Sequence, residues 1–115
     1  MEKQIRKFDL EERTYNFAEK VKFYILGLPK NTTNIEYGKQ LARSSGSVAA
    51  NYIEANESFS KKDFLMRVKI CRKEVKESRM WLKLTDSNTE TTKQTLIQEA
   101  TELMKIFGSI IEKVK

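Results

Sequence analysis

Six cations, Lys62, Lys69, Arg72, Lys76, Arg79 and Lys83, recur at steps of seven, three, four, three and four residues. On a helix that rhythm keeps side chains on one flank, because residues three and four apart are neighbours on the helix surface. A row of Lys and Arg can neutralise successive phosphates of RNA or DNA, an interaction that weakens steeply with salt. The segment from Lys61 to Lys83 holds nine cations and three anions, which accounts for the whole net charge of +6; the other 92 residues carry thirteen of each sign. No aromatic cluster is interleaved with these cations, so the contact expected is with the nucleic-acid backbone, without base readout. The same spacing also describes the solvated face of an amphipathic helix, on which Glu74 and Glu77 could pair with cations three or four residues away.

Other residue types that carry chemistry are scarce. The 115 residues include no histidine and one cysteine, Cys71. Zinc sites, Ser-His triads and Cys-His dyads are therefore excluded. Glu54 with Glu57, and Glu74 with Glu77, repeat the i, i+3 carboxylate spacing of di-iron bundles, but the histidines of such sites are missing and Lys73 and Lys76 crowd the second pair. No catalytic residue, metal or cofactor is expected, and the chain reads as a non-enzymatic protein. Cys71 falls on an apolar seam, where a free thiol behaves as a small hydrophobe. One cysteine forms no internal disulfide, residues 1–7 lead into no apolar signal core, and the apolar stretches are far too short to span a bilayer. A cytoplasmic protein without membrane association is expected.

One proline and four glycines leave few turns, so long helices must position the cations. A capping box of Asp9 with Glu12 opens the first helix, whose apolar positions include Phe17, Ala18, Val21, Tyr24, Ile25 and Leu28; Gly27 and Pro29 end it. Thr33 with Glu36 opens the second, with Gly38, Leu41, Ala42, Ser45, Val48, Ala49, Tyr52 and either Ile53 or Asn56 facing inward. Ser60 with Asp63 starts the third, whose seam is Phe64, Val68, Cys71, Val75, Ser78 and Leu82. After the polar turn 85–88, the fourth carries the most regular stripe, Leu96, Ile97, Ala100, Leu103, Met104, Phe107, Ile110, Ile111 and Val114. The expectation is one all-α domain over 1–115, an antiparallel up-down-up-down four-helix bundle with helices at about 9–28, 33–57, 61–85 and 89–114. The basic ridge then lies one residue, about 100° of rotation, from the third helix's buried seam.

That third helix has more apolar residues than one bundle face absorbs. Leu65 and Trp81 can still pack within the monomer, whereas Met66, Ile70, Met80 and Leu84 lie well round from the seam, and Tyr15 and Phe23 lie outside the stripe of the first helix. These residues predict a subunit interface. The small-residue run from Ala42 to Asn51 has two readings: a surface that lets another helix approach closely, or a hydroxyl-rich groove in which Arg43 holds an anion.

Taken in order, Arg43-Ser44-Ser45, the run from Ser47 to Ala55, Ser60-Lys61-Lys62-Asp63-Phe64, the run from Lys73 to Ser78, and Trp81-Leu82-Lys83-Leu84 resemble the signature of the bacterial four-helix-bundle proteins encoded in 23S ribosomal RNA intervening sequences, the S23 proteins. Glu99-Ala100 and Glu102-Leu103 extend the similarity over nearly the whole chain. That family includes the accessory variability protein of diversity-generating retroelements, a basic homopentameric barrel that binds nucleic acid and a reverse transcriptase. The resemblance implies a homo-oligomer, a pentamer, with no catalytic activity. It implies RNA or DNA, and a reverse transcriptase or another protein, as candidate partners. Arg43, Asn51, Glu54, Glu74, Glu77 and Trp81 match family motif positions, as an anion site or as an interface; Met80 stands where tyrosine is common. Two functions follow: a bundle that binds RNA or DNA through the ridge, or an assembly or adaptor protein whose partner is another polypeptide.

Overall fold

A computed structural model describes the backbone of residues 2–115 and the side chains of residues 10–115. It contains four α-helices and, among the described residues, no strand: α1 (Glu2–Leu26), α2 (Thr32–Asn56), α3 (Lys61–Leu84) and α4 (Glu90–Val114). Helices of 24 or 25 residues are about 37 Å long at 1.5 Å per residue. They fill a body of 44 × 23 × 20 Å. Each helix packs on its two neighbours around the ring, α1 on α2, α2 on α3, α3 on α4 and α4 on α1, as an up-down-up-down bundle requires.

The first two helix starts differ from the expected ones. The helical backbone of α1 runs back to Glu2, so no cap forms at Asp9, whose side chain lies outside the described residues. The residues ahead of Asp9 are mostly good helix formers and extend the helix past it. In α2 the cap is Asn31, not Thr33: Asn31 is extended (φ −142°, ψ 170°) and its Oδ1 accepts from the Asn34 N–H at 2.8 Å. Asparagine is the better cap, and the Thr33 hydroxyl instead donates to Asn31 Oδ1 at 3.1 Å. At α3, Ser60 Oγ accepts from the Asp63 N–H at 3.1 Å, as the sequence suggests. At the start of α4 the Thr89 side chain makes no cap bond.

The seam expected of α3 is buried at Val68, Cys71, Val75, Ser78 and Leu82, with Phe64 half-buried against the same core. On α2 the buried face differs from the expected one. Ala42 and Ile53 are exposed and Asn56 is half-buried, while Ser44 and Ala55 are buried. Ser44 turns inward because its hydroxyl meets that of Ser78 at 2.8 Å, a polar pair that brings α2 and α3 close together. Tyr52 of α2 reaches across the diagonal to Phe107 of α4, ring centroids 6.1 Å apart.

At one end of the bundle a buried asparagine ties two loops together. Asn34 Nδ2 donates to the carbonyls of Pro29 (2.8 Å) and Asp86 (3.0 Å), and its Oδ1 accepts from the Asp86 N–H (2.9 Å). Next to this clasp the Tyr24 and Thr85 hydroxyls are 2.7 Å apart and Lys93 Nζ donates to the Thr85 carbonyl at 2.9 Å. The opposite end carries the α2–α3 turn, residues 57–60.

Candidate nucleic-acid interface

The six ridge cations lie on the flank of α3 that turns toward α4. Lys62, Lys69, Arg72, Lys76 and Lys83 are exposed and Arg79 is half-buried. Arg79 Nη1 donates to Thr101 Oγ1 of α4 at 3.2 Å. Arg72 passes over Gly108 of α4, where a Cβ would lie 3.8 Å from Nε. The Arg72 guanidinium thus lies against α4 at van der Waals distance, where even an added methyl group would fit. Lys69, Arg72, Lys73 and Lys76 converge with Ile111 on an open cleft of about 390 Å³ between the two helices. Lys73 is the member that the spacing argument left out. It sits farther round toward the outer surface of α3, and a long lysine stem reaches back to the cleft.

Among the described residues, ion pairs form at Arg13 with Glu99 and Glu102, at Lys39 with Glu36 and at Lys115 with Glu112, and none involves a ridge cation. Glu74 and Glu77 therefore form no ion pair with the six ridge cations. Glu74 is half-buried. Partial burial raises its pKa first, the neighbouring Glu77 raises it further, and Lys73 and Arg43 pull it back. A groove that holds four cations and no paired carboxylate has a positive potential along its length. The larger groove between α1 and α4, about 690 Å³, is different. Lys20 faces Glu90, Glu99 and Glu102 there, among threonine and glutamine, so it has no single sign.

The motif residues do not gather into one site. Asn51 accepts from Arg67 Nη1 at 2.9 Å and donates to the Ser47 carbonyl and hydroxyl (2.9 and 3.0 Å), which joins α2 to α3. Trp81 is half-buried and packs on Tyr37, centroids 5.5 Å apart. Arg43, Glu54 and Glu77 are exposed. Cys71 is buried, its thiol pushed up to about 12 by desolvation, and donates weakly to the Val48 carbonyl at 3.5 Å. Among the described residues no group of three or more Cys, Asp or Glu side chains could hold a metal, and no helix is long and apolar enough to cross a membrane.

Residues 6–109 match the family model of the 23S rRNA-intervening sequence protein. The chain belongs to that family. It is also similar to a solved structure from Bacteroides thetaiotaomicron, described as a protein with unknown function from the S23 ribosomal protein family. The two are 26% identical, with a TM-score of 0.78, over 92% of this chain and 97% of the other. No curated protein matches the chain. The 23S rRNA-intervening sequence family and its four-helix architecture thus agree with the short ordered blocks on which the resemblance rested.

Proposed function

We propose that the protein is a non-enzymatic, homo-oligomeric helical bundle of the bacterial cytoplasm that binds the RNA or DNA backbone electrostatically, with no cofactor. The observation that carries this reading is the unpaired convergence of Lys69, Arg72, Lys73 and Lys76 on one cleft of α3 and α4. Phosphate contacts of this kind give affinity without sequence information and release counterions on binding. Repetition of the cleft around a symmetry axis, a pentamer in the reading taken from the family resemblance, would turn weak contacts into an avid surface. The apolar line Met66, Met80 and Leu84, between 44% and 49% exposed on the outer side of α3, supports self-association.

The test is a titration of low-salt RNA and DNA probes with the unmodified protein and with the Lys69→Glu, Lys76→Glu variant. Both side chains are exposed and make no hydrogen bond or ion pair among the described residues, so the variant is expected to keep its circular dichroism and lose at least tenfold in affinity. Absence of binding by the unmodified protein overturns the reading. Light scattering checks assembly, and a clean monomer at micromolar concentration rejects it. The adaptor reading, a polypeptide partner such as a reverse transcriptase, is favoured by the same exposed apolar line. It predicts a complex that survives nuclease treatment and an unmodified protein that binds neither probe.

A further inference from the structure

Phe59, in the turn between α2 and α3, is fully exposed at 102% of its reference surface. It stands immediately before the Ser60 cap of α3, a position from which an apolar side chain ordinarily folds back onto the fourth helical residue, here Phe64. Phe64 packs on the core without it. The backbone on both sides of Phe59 is fastened: Ser58 N–H donates to the Ala55 carbonyl (3.1 Å), Ser58 Oγ to the Glu54 carbonyl (3.0 Å), and Phe64 N–H to the Ser60 carbonyl (3.0 Å). The ring is thus held out from a fixed turn, and it has no ring partner among the described residues.

The other exposed aromatics differ. Tyr15 donates to Glu19 at 3.4 Å and Lys22 covers Phe23 at 5.3 Å from the ring centre; both belong to α1, which lies across the bundle from α3. Among the described residues Phe59 is the exposed aromatic next to the start of the ridge, with Lys61 and the first ridge cation Lys62 following Ser60 in sequence and Glu57 and Asp63 on either side. A free aromatic face beside a run of phosphate-binding cations is the arrangement on which an unpaired base stacks while its backbone follows the charges.

We propose that Phe59 is a base-stacking platform at one end of the ridge, so that this surface prefers nucleic acid with an unpaired base over a blunt duplex. The inference rests on the proposed phosphate contact and names the class of nucleic acid that the contact takes. Its setting among charged side chains, Lys61 and Lys62 with Glu57 and Asp63, fits a nucleotide, whose backbone phosphate the two lysines can meet, better than an apolar protein segment.

Three probes of equal length separate the contributions: a single-stranded oligonucleotide, the same strand with every base removed, and a blunt duplex. Phe59→Ala is expected to weaken the single strand about fivefold or more, to leave the abasic strand and the duplex within about twofold, and to be rescued by Phe59→Trp. An unchanged affinity for the single strand, or an equal loss on all three probes, overturns the proposal while leaving the ridge in place. A change in oligomeric state on Phe59→Ala, read by light scattering, assigns the ring to a protein contact and also overturns it. If the unmodified protein binds no probe at all, the ridge reading fails and this one with it.

Discussion

Asn34 shows how one side chain can fix the relation of two loops. It uses both amide hydrogens and its oxygen, on Pro29 and Asp86, while 97% of its surface is withdrawn from water. Asn34→Ala is expected to cost about 2–3 kcal/mol, because three bonds of about 1 kcal/mol are lost and the Asp86 N–H is left without its acceptor. Asn34→Asp should recover little, since a carboxylate cannot donate to two carbonyls. Denaturant unfolding of the two variants checks both points. Cys71 and Tyr52 supply a pH prediction. Desolvation is the largest cause of both shifts and takes each group up to about 12, from 9.0 for the thiol and 10.0 for the phenol. A raised folded-state pKa means that the unfolded chain releases its proton first. Stability is therefore full below about pH 9 and falls as the pH rises toward 12. Thermal melts at successive pH values should show that decline, and Cys71→Ala should reduce its slope between pH 9 and 11. None of these contacts is visible in the sequence, because Asn34 and Asp86 are 52 positions apart and an asparagine near a helix start reads locally as a cap.

Legibility differs sharply between α3 and α2. The α3 seam is written in valine and leucine at four-and-three spacing, and a large apolar side chain has only one place to go in a bundle. On α2 the faces differ by hydroxyl and methyl groups of similar size, so burial is decided by the neighbour. Ser44 is inside because Ser78 meets it, and Ala42 is outside. The ridge was legible for the same reason as the seam, being its rotated copy. Its freedom from ion pairs was not, since the side chains' partners depend on how α2 and α4 are placed. Element-level space also predicts stability. A Cβ at Gly46 would meet nothing within 4 Å, whereas one at Gly38 would come 3.4 Å from Ile25 Cγ2. Gly46→Ala should therefore stabilise α2 by about 0.5–1 kcal/mol through helix propensity, and Gly38→Ala should gain less or nothing. Paired thermal melts decide between them.

For the molecule as a whole, the ring order of four similar helices explains both its shape and the location of its charge. The α1–α4 seam is held by Arg13, whose guanidinium donates twice to Glu99 (2.7 and 2.8 Å) and once to Glu102 (2.9 Å), and its carboxylates balance its cations. The α3–α4 seam has no such balance. Helices of nearly equal length that alternate in direction have a further effect. Each carries about half an elementary charge at its ends, of opposite sign, and in this layout those end charges cancel in neighbouring pairs. The backbone therefore contributes almost no net electric moment, and the moment of the protein comes from its side chains, with the positive pole on the flank of α3. A polyanion within a few screening lengths, each about 8 Å at physiological ionic strength, exerts a torque on such a body and turns that flank toward itself before any contact forms.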